Sequence, residues 1–264
     1  MKCPLCGSNR TKHILSQGDW SIVACKTCKN AWTIPVPTRI QYSETDFHAS
    51  ARNSSDTELP VTIDELPWEW RDCIKAQTTL LLRYAPKGAS VMEIGCGEGL
   101  LLKELSRSGF NVQGIEPSVT ASSRARKKGL NVITGYFPDC LSDALFDVVI
   151  LSHVLEHFAD PIVTLELVSR VAPKGYLLLI QTNYKGLIPR WDREKWYAWS
   201  PHEHFWHFTP KGLQMIARRL GFCPIACEYS SLIHGSKRIA KLTGKIARVF
   251  PPAWDQFHLL LKRN

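Results

Sequence analysis

Three groups of residues in this chain have the types and spacing to do chemistry. Cys3-Pro4-Leu5-Cys6 and Cys25-Lys26-Thr27-Cys28 are two CxxC pairs, separated by the segment from Gly7 to Ala24. Two tight turns, each presenting two thiolates, satisfy a tetrahedral Zn²⁺ in a closed, structural site without an open position for catalysis. The second group is Glu93-Ile94-Gly95-Cys96-Gly97-Glu98-Gly99, an acid near the end of an apolar run followed at once by a glycine-rich turn. Glycine permits the positive-φ conformations and close backbone approach that a nucleoside requires of such a turn. Glu116 closes the next apolar run, at the distance from Gly95 where a ribose-binding carboxylate falls in a mononucleotide-binding βαβ unit. An ordinary βα turn of some other α/β protein is the competing interpretation. The third group is Glu203-His204, inside a stretch from Arg190 to His207 that holds the densest run of aromatic and histidine residues in the chain.

The glycine spacing separates two ligand classes. A dinucleotide fingerprint places its third glycine three residues after the second, in G-x-G-x-x-G. Here Leu100 occupies that place and the third glycine, Gly99, comes one residue early. The crowded turn leaves little room for a pyrophosphate and suits a ligand without phosphates.

The run Glu93 to Gly99 resembles the first motif of the class I S-adenosylmethionine-dependent methyltransferases. Gly114-Ile115-Glu116-Pro117-Ser118 is similar to their second motif, and Phe146 to His157 (FDVVILSHVLEH) to their fourth-strand motif. The resemblance runs in consistent order from Val91 to Asn183. It implies S-adenosyl-L-methionine as cofactor, with Gly95, Gly97 and Gly99 bordering the methionyl part and Glu93 orienting the turn. Glu116, beside Pro117, would accept both ribose hydroxyls. Phe137 would flank the adenine, although Tyr136-Phe137 replaces the acidic-then-apolar pair found in many members. Ser152 and His153 would end the fourth strand beside the sulfonium; His153 would orient substrate or stand as a satisfied strand-end histidine.

Glu203-His204-Phe205-Trp206-His207-Phe208-Thr209 resembles the E-H-x-x-x-F-[ST] segment of methyltransferases acting on sugars and related small molecules. That resemblance suggests His204 as the general base, since imidazole titrates near neutral pH, with Glu203 orienting it or binding a hydroxyl. Thr209-Pro210 also has the form of a helix N-cap and first position, so the segment could serve packing alone. A zinc site from His202, Glu203, His204 and His207 is disfavoured, because neighbours in sequence rarely converge on one ion.

The elements that must hold these groups follow from periodicity. Strands are expected near 90–95, 111–116, 131–136, 146–152 and 176–182, and helices over 69–84 and near 98–108, 119–128, 161–171 and 210–220. The alternation predicts an α/β fold: a Rossmann-like, mostly parallel seven-stranded sheet with helices on both faces, preceded by a small zinc ribbon. Two late strands, 224–229 and 256–262, would form a hairpin placing one antiparallel strand in the sheet, as the family resemblance implies. The expected divisions are a ribbon at 1–34, a linker at 35–66 and the main domain at 67–264. The linker carries Tyr42, either a lid over the cofactor or a surface anchor. Residues 236–250 form a basic amphipathic insertion that packs on its own domain, covers a cleft or lies on a membrane surface. A ribbon of about 35 residues buries too little core alone and depends on its metal.

Composition bounds the rest. The chain has 264 residues, 44% of them hydrophobic, and no apolar run near the ~20 residues of a membrane span. The start shows no apolar signal region, and nine cysteines then read as metal ligands and core thiols in a cytoplasmic protein. The formal charge of +9 favours anionic partners such as nucleic acid, nucleotide-linked substrates or an anionic surface. The leading expectation is a methyltransferase for a small molecule, a sugar or glycan precursor, methylated at oxygen or carbon. An RNA methyltransferase docking through its ribbon, or a non-catalytic binding protein of the same fold, are the alternatives.

Overall fold

Hydrophobic patterning sorts the chain into two sheets of different kinds. The computed structural model describes residues 1–35, 62–141, 143–230 and 255–263. Tyr42 and the 236–250 insertion lie outside the described residues, as does most of the expected linker.

The amino-terminal strands are β1 (Thr11–Gln17), β2 (Trp20–Cys25) and β3 (Ala31–Ile34), paired antiparallel in chain order. Gly18 at φ 55° lets the chain reverse between β1 and β2. The main sheet contains β4 (Ser90–Ile94), β5 (Asn111–Glu116), β6 (Val132–Thr134), β7 (Val148–Ser152), β8 (Tyr176–Thr182), β10 (Phe222–Ser230) and β11 (Gln256–Arg263). Its order is β10-β11-β8-β7-β4-β5-β6, with β11 antiparallel to both neighbours and the other pairs parallel. Strand order therefore reverses between β4 and β7, and ligands of such sheets bind beyond the carboxyl ends at that reversal.

Val148, Val149, Ile150 and Leu151 of β7 are all fully buried, as a strand covered on both faces must be. Alternate residues divide between two cores. Met92, Val149, Leu151, Leu177 and Leu179 pack with α4 (Pro161–Val171) and α6 (Pro210–Arg219). Val91, Val148, Ile150, Leu178 and Ile180 pack with α1 (Trp68–Tyr84) and α2 (Leu100–Arg107). The remaining helices are α3 (Val119–Lys127) and the short α5 (Leu187–Asp192).

Local chemistry sets the helix starts. Asp160 accepts hydrogen bonds from Ile162 N and Val163 N ahead of Pro161, and Thr209 accepts from Gly212 N ahead of Pro210. Helix α2 begins at Leu100 rather than near 98, because Gly99 sits in the left-handed region at φ 74°. Strand β6 is shorter than expected, at three residues. Strand β10 begins before Pro224, which lies at a register shift on the sheet edge, where a missing N–H is tolerated.

The two sheets are joined by a strand that periodicity does not announce. Trp206 and His207 form β9, which pairs antiparallel with β3 through Ala31↔His207 and Trp32↔Trp206. Leu5, Val23 and Trp32 consequently share one apolar cluster with Phe205, Trp206, Phe208, Leu213 and Ile216. Asn30 is fully buried against α6, its Oδ1 accepting from Thr209 N at 3.1 Å. Gly212 admits that side chain, since a Cβ there would collide with Asn30 Oδ1. No helix among the described residues is long and apolar enough to cross a membrane.

Candidate functional site

The four cysteines converge. Their Sγ atoms all lie within 4.8 Å of one another, with Cys3 3.7 Å from Cys28 and Cys6 3.6 Å from Cys25. Thr27 N and Cys28 N point at Cys25 Sγ from 3.3 and 3.4 Å, the backbone support a metal-bound thiolate needs. The Cys28 thiol beside it holds Cys3 well below the usual thiol range, at about 5. Four soft donors in a closed, buried turn pair fit a structural Zn²⁺, which would tie the two ends of the ribbon together.

At the strand reversal, the glycine turn leaves β4 with Gly95, Gly97 and Gly99 at φ 69°, 54° and 74°. A Cβ on Gly95 would meet Val154 Cγ2 at 2.5 Å, so bare backbone is obligatory there. Glu116 ends the adjoining strand β5 and is buried, its Oε2 accepting from Gly97 N at 2.7 Å and its Oε1 from Ser118 N at 2.8 Å. Burial raises its carboxyl above the usual range, and the two N–H donors oppose that rise. Glu93 is also buried, with Oε2 lacking a partner among the described residues; burial and the charge of Glu116 push it well up. Two carboxyl groups are thus held side by side at adjoining strand ends, one with an oxygen that no group among the described residues satisfies. Such an orphaned buried oxygen fits a ligand carrying hydroxyl or ammonium donors.

The other expected residues are placed as follows. Pro117 follows Glu116 out of β5. Phe137 is buried and edge-on to Phe158, with ring centroids 6.0 Å apart, so its ring belongs to the core as much as to any rim. Ser152 is the last residue of β7, and His153 follows it at φ 53°. His153 Nδ1 lies 3.6 Å from Glu156 Oε1.

Glu156, which sequence reasoning gave no role, is the centre of the second cluster. It is buried, accepts from Gln181 Nε2 at 2.8 Å through Oε2, and leaves Oε1 without a hydrogen-bond donor among the described residues. Burial alone would raise this carboxyl, but the facing imidazole of His153 and the charges of His157 and His204 bring it down to about 2. His157 and His204 stand edge to face, with ring centroids 5.0 Å apart. Each directs Nδ1 at a backbone carbonyl, His157 at Glu203 O and His204 at Ala198 O, both at 2.8 Å. A carbonyl only accepts, so Nδ1 carries a proton in each ring, and in a neutral His204 the lone pair is on Nε2. Burial and the neighbouring His157 lower His204 to about 4, so it is neutral at pH 7 and able to take a proton. Glu156, His157 and His204 bring ligand atoms within 4.8 Å of one another, a donor set equally suited to proton handling or a divalent cation.

Glu203 does not orient His204 through its side chain. Its carboxylate lies near Ser200 Oγ at 3.3 Å and His202 Nε2 at 3.5 Å, and its backbone carbonyl serves His157 instead. His202 leans outward towards Trp20, and His207 is buried with its ring against Trp199. The ribbon grips this segment from behind. Thr33 Oγ1 donates to His204 O at 2.7 Å, which makes it the acceptor for His207 Nε2 at 3.3 Å, and Thr33 N donates to Phe205 O at 2.9 Å. The signal for Glu156 was in the sequence, in the adjacent acid and histidine after β7, but its partner His204 lies far along the chain, beyond β8.

Comparisons with known proteins agree with this geometry. Residues 68–226 match a family described as a methyltransferase domain. The ubiquinone biosynthesis O-methyltransferase of Caulobacter sp. (strain K31) is 34% identical over 106 residues, covering 36% of this chain and 41% of that enzyme. The enzyme of the same name from Cereibacter sphaeroides (strain ATCC 17029 / ATH 2.4.9) is 29% identical over 156 residues, or 53% and 62% of the two chains. The chain thus spans less than two thirds of the length of these relatives. Among solved structures, magnesium protoporphyrin IX methyltransferase from Synechocystis PCC 6803 with bound SAH superposes with a TM-score of 0.60 at 16% identity, covering 83% of this chain and 95% of that one. A possible histamine N-methyltransferase from Thermotoga maritima gives 0.53 at 19% identity, covering 74% and 90%. At such identities the likeness is one of fold.

Proposed function

The chain belongs to the methyltransferase-domain family, and from that premise we propose that it transfers the methyl group of S-adenosylmethionine to a hydroxyl-bearing small molecule, a sugar or glycan precursor. The observation that carries this reading is the pair of buried carboxylates, Glu93 and Glu116, at adjoining strand ends across the glycine turn. When bound, S-adenosylmethionine supplies an electrophilic methyl group on a sulfonium. Glu116 would accept the two ribose hydroxyls on the second lone pair of each carboxylate oxygen, keeping its bonds to Gly97 N and Ser118 N, a bidentate contact suited to a carboxylate. Gly95, Gly97 and Gly99 would let the methionyl part lie against bare backbone, and Glu93 would orient that turn. Ser152 and His153, at the end of β7, would border the reacting centre.

His204 would take the acceptor's proton at Nε2, its Nδ1–H being anchored on Ala198 O. Glu156 would stabilise the imidazolium so formed across the His157–His204 pair. The exposed aromatic ring of Trp191, in the segment before His204, suits the apolar face of a sugar ring. The curated relatives, named for O-methylation in ubiquinone biosynthesis, support an oxygen acceptor.

The test is incubation of the purified chain with methyl-labelled S-adenosylmethionine and small-molecule extracts, beside Glu116→Ala. Labelled product made by the wild type and lost in the variant is the expected outcome. Product that persists undiminished in the variant rejects the cofactor assignment.

A further inference from the structure

A cavity of about 340 Å³ lies where the ribbon meets the main domain, lined by Lys29, Asn183, Lys185, Thr209, Lys211 and Tyr229, with Pro210. Four elements build it. Lys29 leaves the second cysteine turn at φ 68°, and its carbonyl accepts from Tyr184 OH at 2.6 Å, which fixes the ribbon against the end of β8. Asn183 and Lys185 follow β8 at the carboxyl edge of the sheet. Thr209 and Lys211 form the start of α6, shortly after His204 in the chain. Tyr229 comes from the edge strand β10.

The chemistry of this lining is one-sided. Three lysines come from three separate elements, and no carboxylate is among the described lining residues. The first turn of α6 adds the positive end of a ten-residue helix. Burial and the nearby cations Lys29, Arg190 and Lys12 lower the Lys185 ammonium, against an opposing pull from Cys28, and its Nζ lies over the Tyr184 ring, 5.6 Å from the centroid. Like charges are not brought together in a folded chain without cost, and an anion removes that cost.

We propose that this cavity binds the phosphate or diphosphate group of the acceptor, so that the substrate is a phosphorylated or nucleotide-linked small molecule held between ribbon and main domain. The proposal rests on the methyltransferase reading for the word acceptor, but the anion site itself does not. It gives the ribbon a second task, since Lys29 and Lys12 belong to the metal-bound module. It also places the anionic handle next to the segment that carries His204. The glycine turn after β4, too crowded for a pyrophosphate, is not a competing place for it.

The experiment is calorimetric titration of the full-length, zinc-loaded chain at about 150 mM salt, where long-range attraction is screened. The probes are inorganic pyrophosphate, uridine 5′-diphosphate, uridine and a short single-stranded RNA. Wild-type protein should bind pyrophosphate and the diphosphate saturably and ignore uridine. Lys211→Glu, at an exposed position that keeps the fold, should weaken both by about tenfold or more, and Lys185→Ala should do so to a smaller degree. S-adenosylhomocysteine binding, measured on the same samples, should be unchanged in both variants. Absence of saturable pyrophosphate binding, equal binding by Lys211→Glu, or tighter binding of RNA than of the diphosphate would each overturn the proposal. Loss of S-adenosylhomocysteine binding by wild-type protein, with pyrophosphate still bound, would instead overturn the methyltransferase reading.

Discussion

Replacing Glu116 by alanine separates ligand binding from folding in a measurable way. In the ligand-free chain the carboxylate accepts two backbone hydrogen bonds, from Gly97 N at 2.7 Å and Ser118 N at 2.8 Å. The variant leaves those two donors to water, at a cost of roughly 1–3 kcal/mol each, while removing a buried carboxylate whose desolvation works the other way. The two effects oppose, so the unliganded variant should lose only about 1–2 kcal/mol. Binding has no such offset. Two charge-assisted bonds to ribose hydroxyls at about 1.5 kcal/mol or more each amount to ~3 kcal/mol, a weakening of roughly 150-fold. At a ligand concentration about 100 times the wild-type Kd, wild-type protein gains ~2.7 kcal/mol, and the variant at that same concentration gains ~0.3 kcal/mol. With about 2–4 °C per kcal/mol for a chain of this size, S-adenosylhomocysteine should raise the wild-type Tm by roughly 5–11 °C and the variant's by about 1 °C. Differential scanning fluorimetry reads both. Equal shifts in the two proteins would refute the assignment of Glu116 to the ribose.

The remaining predictions concern the ribbon, the buried histidines and the packing of α6. Chelating the metal, or Cys28→Ser, should raise hydrogen exchange not only in residues 1–34 but also at 204–208, because β9 pairs with β3 and Thr33 holds His204 and Phe205; fast exchange confined to the ribbon would contradict this coupling. Burial lowers His204 to about 4 and His207 and His258 to about 3, against an unfolded value near 6.5. The unfolded chain therefore binds protons that the folded one refuses between about pH 4 and 6.5, so stability rises with pH across that window. Glu93 and Glu116, both raised, pull in the opposite direction above their unfolded values. His204→Gln should flatten the rise by up to about 1.4 kcal/mol per pH unit in urea titrations at pH 5 and 6.5, and an unchanged slope would show that His204 is not buried neutral. Gly212→Ala should destabilise by about 1–3 kcal/mol, since its Cβ would run into Asn30 Oδ1. Helix propensity alone favours alanine by ~1 kcal/mol, so a stabilised variant would show that Asn30 does not occupy that space.

Local signals carried the main sheet. An acid at a strand end, a glycine turn and a second acid one strand later all fall between Glu93 and Glu116, and alternating periods mark β4 to β8 with little help from distant contacts. The same holds for the CxxC pairs, whose geometry is set within each turn. What the sequence concealed is long-range. A strand as short as β9 has no periodicity to read, and its partner β3 lies in the amino-terminal ribbon, with most of the main sheet between them in the chain. The expectation that Glu203 orients His204 assumed that neighbours in sequence face each other; the chain instead turns the Glu203 carbonyl to His157 and leaves its carboxylate near Ser200. Glu156 stood in the motif after β7 without an evident task until His153, His157 and His204 surrounded it. The family resemblance makes Phe137 an adenine neighbour, yet its contact with Phe158 uses it in the core.

A crystal structure of the chain with S-adenosylhomocysteine tests the central claim most directly. The nucleoside is expected beyond the carboxyl ends of β4 and β5, with both ribose hydroxyls on Glu116 and the amino-acid end along Gly95 to Gly99. A nucleoside bound elsewhere, or one whose ribose hydroxyls do not reach Glu116, would contradict it.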